Sequence, residues 1–135
     1  MAVRLLIAAF LLAHATVHAA FLSPRPPLTA GGPAWPFELG RSWILGPLGI
    51  DPGLARILGV ALIALTFAGF AVGALAALGP VPAGLFPPAI VIGSVASMAV
   101  LALFFQPWLV LGVAIDLAVL WVVLVADPAA GDLVP

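Results

Sequence analysis

The sequence predicts an all-α integral membrane protein, a four-transmembrane-helix up-and-down bundle with an interfacial loop or short helix between helices 1 and 2. The 135-residue chain is 65% hydrophobic and only 7% charged, so it lacks the polar groups that cover the surface of a soluble domain. Its mean hydropathy is +1.35. Four runs approach the ~20 apolar residues that a bilayer-spanning helix needs. We therefore expect a single membrane domain over residues 1–135.

The four predicted helices cover residues 3–22, 54–78, 88–105 and 107–126. All fourteen prolines lie in connections, in tails or at the first residue of a run. At a helix start the missing proline N–H costs no hydrogen bond. The last three helices are joined by short connections, which favour antiparallel neighbours. The junction at Gln106 and Pro107 is so abrupt that one long bent hairpin is an alternative there.

The first connection, residues 23–53, is predicted to form a lid over one end of the bundle. Trp35, Leu39 and Trp43 recur every four residues, so they would share one face of a short helix lying at the level of the lipid headgroups. Asp51, followed by Pro52, predicts the cap and first turn of the second helix. The expected interfacial anchors are Trp35, Trp43, Trp108, Arg41 and Arg56.

Residues 1–20 also resemble a secretory signal, but the apolar run continues to Leu22 and contains two histidines. We therefore expect this segment to be retained as the first helix. The orientation stays open, because Arg4 and the arginines on the opposite side favour opposite topologies. The absence of Lys, Asn, Tyr and Cys suggests a GC-rich bacterial genome, so the expected location is a bacterial plasma membrane.

The polar residues inside the predicted helices are His14, His18, Thr66, Ser97 and Asp116. Counted from the end that carries the lid, at 1.5 Å per residue, His14 and Asp116 lie roughly 12 and 13.5 Å deep. Thr66 and Ser97 fall at a similar depth, and His18 lies one turn from His14 on the same face. A charge at this depth is costly and is seldom left facing lipid. We therefore expect one intramembrane polar layer.

Four interpretations of this layer are open. In the first, His14 donates a hydrogen bond to Asp116, Ser97 and Thr66 bond to nearby backbone carbonyls, and the layer only holds the helices in register. In the second, His14, His18 and Asp116 transfer protons. In the third, the same three residues bind a metal ion. The fourth is haem or quinone binding, and a haem would be ligated by a single histidine from this helix.

Two functional hypotheses follow. The first is a small, non-enzymatic accessory or structural subunit of a membrane complex, packed against a partner membrane protein or copies of itself within the lipid bilayer. The second is a redox or proton-handling component built on the His/His/Asp site. No catalytic residue is assigned, and whether the protein is an enzyme stays open, with the first hypothesis favouring a non-enzymatic role. Four arginines without lysine form no basic patch, so no nucleic-acid partner is expected.

Overall fold

The computed structural model describes residues 1–24, 26–27, 31 and 35–125. The described residues contain four α-helices and no strand. The helices are α1 (Ala2–Val17), α2 (Pro52–Leu78), α3 (Phe86–Leu103) and α4 (Val110–Leu124), and short 3₁₀ turns lie at His18–Leu22, Ala83–Leu85 and Pro107–Leu109. With these turns, four helical segments are long and apolar enough to cross a membrane.

The ends of α2 follow from local chemistry. Asp51 caps its start, because Oδ1 accepts hydrogen bonds from the backbone N–H groups of Gly53 at 2.8 Å and Leu54 at 3.1 Å. Pro52 occupies the first helical position, where its fixed φ suits the helix. Gly79 ends the helix at φ 95°, a left-handed conformation that glycine adopts without a steric penalty. The predicted cap at Asp51 is confirmed.

The junction between α3 and α4 is a true break. Phe104 leaves the helix at φ −117° and ψ 41°, and Gln106 is extended at φ −136° and ψ 145°. Pro107 then opens the turn that leads into α4. Two separate helices result. The predicted end of the fourth helix, Ala126, lies outside the described residues.

The helices pack in chain order, α1 on α2, α2 on α3 and α3 on α4, while α1 and α4 make few direct contacts. The closest approach is between α2 and α3. A Cβ placed on Gly69 would lie 2.6 Å from the Cα of Gly93. Two apolar clusters fill the interior. One, around Phe21, Leu39 and Phe104, lies at the end carrying the first connection, and the other surrounds Leu11, Phe70 and Ile90.

Of the two predicted forms of the first connection, a loop or a short helix, the described residues have the loop. Its described residues from 35 to 50 form bends and turns. The Ser42 hydroxyl accepts the N–H of Leu45 at 3.0 Å, which favours a local turn over a continuing helix. Leu39 is buried whereas Trp43 is 62% exposed, so the two do not share one buried face. That part of the prediction is wrong.

The connection nevertheless packs on the bundle through its side chains. Leu39 enters the apolar cluster beside Phe104. The Ser42 hydroxyl donates to the carbonyl of Leu103 at 2.6 Å, and Trp43 Nε1–H donates to the carbonyl of Ala102 at 2.6 Å. Both carbonyls belong to the last turn of α3, where the helix itself supplies no partner. The connection thus caps α3 from outside.

Candidate functional site

The first and fourth helices meet at one polar contact. His14 Nε2 lies 2.9 Å from Asp116 Oδ1, across 102 positions of sequence. Asp116 is completely buried and is the only residue of α4 that is buried. The His14 ring packs edge-on against Phe70 of α2 at 5.3 Å between centroids and lies parallel to Phe10 at 6.3 Å. Two aromatic rings therefore flank the His14 side of the pair.

Ser97 of α3 connects this pair to the second histidine. Its hydroxyl donates to Asp116 Oδ2 at 2.5 Å and lies 2.8 Å from His18 Nε2. The other ring nitrogen of His18, Nδ1, lies 3.3 Å from the backbone carbonyl of His14. His14, Asp116, Ser97 and His18 thus form one continuous hydrogen-bonded chain, which we call the polar network. It ties the C-terminal end of α1 and the 3₁₀ turn that follows it to α3 and α4.

The local backbone explains how His18 reaches this chain. At His18 the α-helix tightens into a 3₁₀ turn, and the His18 N–H bonds to the carbonyl of Ala15. In a regular α-helix that N–H would bond to the carbonyl of His14. The His14 carbonyl is therefore available to the His18 ring.

The first interpretation expected Ser97 to bond to a nearby backbone carbonyl. It does not, because Asp116 and His18 both lie within reach of its hydroxyl. Thr66 does bond locally: its hydroxyl donates to the carbonyl of Leu62 at 2.9 Å. It is fully buried but is not part of the polar network. Ser94, one turn before Ser97, is also buried, and its hydroxyl has no hydrogen-bond partner among the described residues.

Two placements of the protons satisfy every contact of the polar network. In the first, Asp116 is ionised, Ser97 donates to it, and His18 carries protons on both nitrogens and donates to Ser97 and to the His14 carbonyl. In the second, Asp116 is protonated and donates to Ser97, which donates to a neutral His18. The two differ by one proton moving from His18 to Ser97 and another moving from Ser97 to Asp116. With the proton of His14 on Nε2, His14 donates to Asp116 in both.

A cavity of about 180 Å³ adjoins the network between α1 and the start of α4. His14 and His18 line its inner wall, and Phe37 of the first connection lines it too. The outer lining includes Leu111 and Trp108, which are 67% and 72% exposed. The cavity therefore lies between two buried histidines and the outer flank of the bundle.

On the other side of the His14–Asp116 contact, an apolar groove of about 440 Å³ continues between α1 and α4. Phe10, Val119 and Val123 are among its lining residues. The two helices are thus separated by open space on both sides of their polar contact. Interhelical packing alone accounts for little of their association.

The predicted metal ligands were His14, His18 and Asp116. Within the described ranges, no three His, Cys, Asp or Glu side chains are grouped so that they could hold a metal ion. Each Nε2 of the two histidines instead faces a hydrogen-bonding oxygen, on Asp116 or on Ser97. Both Nε2 atoms are thus engaged in hydrogen bonds, and the metal site stays a prediction.

The expected interfacial anchors lie in or near the first connection or at the adjoining helix starts. Trp43 and Trp108 are well exposed, as are Arg41 and Arg56. Trp35 is half-buried, and its Nε1 has no hydrogen-bond partner among the described residues. Their role as anchors stays a prediction.

Sequence reasoning missed the two aromatic rings beside His14 and the hydrogen bonds from the first connection to the end of α3. Phe10 precedes His14 by four positions, so helical spacing could have placed it beside that ring. Phe70 and Ser42 carry no such signal, because their partners lie far away in sequence.

No family model matches this chain, and searches of curated proteins and of solved structures find no match to it.

Proposed function

We propose that the chain is a proton-handling membrane component, in which the polar network accepts and releases protons inside the bilayer. The observation that carries this proposal is the unbroken chain of hydrogen bonds from His14 through Asp116 and Ser97 to His18. Histidine and carboxylate pairs within membrane spans are typical of proton relays. Ser97 supports the proposal because a hydroxyl can accept one proton while it donates another.

Cost and access also support the proposal. Holding two helices in register needs only one interhelical hydrogen bond, and such bonds contribute on average about 0.6 kcal/mol. Four connected polar side chains, three of them ionisable, are a costly way to do so in an apolar bundle.

His14 Nδ1 makes no hydrogen bond with the described residues, and His14 lines the adjoining cavity. A proton can therefore be exchanged at the His14 end of the network.

Infrared difference spectroscopy of the full chain in nanodiscs tests the proposal. We expect a protonated-carboxyl C=O band that changes reversibly with pH and is absent from Asp116→Asn. Ser97→Ala should shift this band, because the hydroxyl bond to Asp116 is lost. Ser94→Ala is the matched control and should leave it in place, since that hydroxyl has no partner. A carboxyl signal that stays constant at every pH where the protein remains folded would overturn the proposal.

We propose as a second candidate that the chain is an accessory or structural subunit of a membrane complex. The supporting observation is that α4 buries one residue, Asp116, and that a 440 Å³ apolar groove remains between α1 and α4. A helix of a partner or of a second copy would cover that groove. Cross-linking in native membranes from a cysteine at Val119, with one at Ile57 on exposed α2 surface as control, tests this. The same yield of cross-links from both positions would contradict it.

A further inference from the structure

The cavity beside His14 and His18 has the features of a site for a small, lipid-soluble ring. Its volume is about 180 Å³, below the 300–1,000 Å³ of pockets that enclose drug-sized ligands. Its walls are largely apolar, with Phe21, Leu101 and Leu109 among the lining residues. The two histidines supply polar groups at one side. This combination suits a single planar ring that carries a few oxygen atoms.

The route into the cavity comes from the side of the bundle. Val17, Leu111 and Trp108 line it and are 56%, 67% and 72% exposed. All three belong to helical segments long and apolar enough to cross a membrane. In a membrane-inserted chain, exposed apolar residues on such segments face lipid rather than water. A molecule dissolved in the bilayer would therefore reach the histidines without crossing the lipid headgroups.

His14 lines the cavity, and its Nδ1 makes no hydrogen bond with the described residues. The described residues contain two buried polar side-chain atoms without a partner, Trp35 Nε1 and Ser94 Oγ. The side chain of His14 keeps a relative exposure of 6%. With His14 neutral and Nε2–H donating to Asp116, Nδ1 accepts a hydrogen bond from a hydroxyl. With His14 protonated, Nδ1–H donates to a carbonyl oxygen.

We propose that this cavity binds the ring of a membrane-dissolved quinone or its quinol, hydrogen-bonded to His14 Nδ1. Quinones combine the required properties: a flat ring, oxygens that are carbonyls in one form and hydroxyls in the other, and solubility in lipid. Asp116 holds the His14 ring through Nε2, which orients Nδ1 and stabilises a proton taken up there. The inference rests on the proposed proton-handling function, since the network gives that proton a destination.

The test uses the full chain in phosphatidylcholine nanodiscs, titrated with a short-chain ubiquinone analogue. Trp108 lines the cavity, so a bound quinone should quench its fluorescence and give a saturable signal. Trp108→Phe should remove the saturable part. An alkylbenzene with the same tail but no ring oxygens should not compete. Quenching that never saturates, or equal competition by the alkylbenzene, would overturn the proposal, and both results come from the unaltered chain.

Matched variants locate the site. Leu111→Phe adds bulk at the outer side of the cavity, whereas Leu117→Phe makes the same change at another exposed position of α4 that is 55% exposed. Quinone affinity should fall in the first and stay unchanged in the second. His14→Gln should weaken binding by about tenfold, as expected for loss of one hydrogen bond to the imidazole ring. If all three variants bind the quinone with the affinity of the unaltered chain, the quinone binds elsewhere and the proposal is overturned.

The binding and infrared experiments separate the two proposals. Saturable quinone binding that depends on His14, together with a constant Asp116 carboxyl signal, would keep the binding site and reject proton handling. A pH-dependent Asp116 signal without saturable binding would keep proton handling and reject the quinone site.

Discussion

His14 and Asp116 hold the first and fourth helices together by a 2.9 Å contact between a ring nitrogen and a carboxyl oxygen. Each helix packs mainly on its neighbours in the chain, and α1 and α4 have few other direct contacts. The contact therefore closes an otherwise open arrangement of helices. It also makes Asp116 part of both the stability and the proposed chemistry of the protein.

Replacing Asp116 should separate these two roles. Asp116→Ala leaves His14 and Ser97 without their shared partner, and we expect a loss of about 2 kcal/mol or more in the free energy of unfolding. Asp116→Asn keeps an oxygen that accepts from His14, so its loss should stay below about 1 kcal/mol. Unfolding in mixed detergent micelles measures both. An alanine variant as stable as the asparagine variant would contradict the structural role.

Ser97 and Ser94 form a matched pair on α3. Both are fully buried, but the Ser97 hydroxyl contacts Asp116 and His18 whereas that of Ser94 has no partner among the described residues. We expect Ser97→Ala to cost about 1–3 kcal/mol, because it leaves two buried polar groups unpaired. Ser94→Ala should be neutral or slightly stabilising.

Nitrogen NMR of the imidazole rings gives the second measurement for these serine variants. In the unaltered chain, the His18 signal should respond to Asp116→Asn, since Ser97 connects the two residues. In the Ser97→Ala background that response should disappear, and in the Ser94→Ala background it should remain. A response that survives the loss of the Ser97 hydroxyl would show that the coupling takes another route.

The hydrogen bonds from the first connection to the end of α3 can be weakened without changing the polar network. Trp43→Phe removes the hydrogen bond to the Ala102 carbonyl and keeps an aromatic ring. We expect backbone amides around residues 42–46 to exchange roughly two- to tenfold faster, which matches the loss of one ordinary hydrogen bond. Trp121→Phe, at a residue 59% exposed on α4, is the control. Hydrogen exchange detected by mass spectrometry measures both variants, and equal rates would contradict the capping role.

The contact between α2 and α3 leaves no room for a side chain at Gly69. A Cβ there would lie 2.6 Å from backbone atoms of Gly93, and backbone cannot move aside as a flexible side chain can. Gly69→Ala should therefore destabilise the fold by about 1–3 kcal/mol. Gly84→Ala adds the same methyl group where no atom lies within 4 Å, so it should be neutral. Thermal unfolding in detergent compares the two variants. Equal unfolding midpoints would contradict a contact between α2 and α3 that excludes a side chain at Gly69.

Hydropathy and proline positions were enough to predict the four helices, because both act locally along the chain. Their boundaries shifted by a few residues where 3₁₀ turns and caps adjust the ends, as at Asp51 and Phe104. The short helix that periodicity suggested between Trp35 and Leu45 does not form, because contacts with residues distant in sequence decide the local conformation. Ser42 and Trp43 donate to carbonyls of α3, about sixty residues away in sequence, and that tertiary pairing favours turns.

The sequence by itself also determined which residues would have to be accommodated in the interior, since His14, His18, Ser97 and Asp116 are polar groups in apolar helices. Helix counting predicted that they lie at similar depth, because the rise per residue is constant. Only the tertiary structure decided their partners. Helix rotation and the 3₁₀ turn at His18 direct Ser97 to Asp116 and His18, while Thr66 on α2 bonds within its own helix. These rotations depend on how all four helices pack together, which periodicity within one helix does not specify.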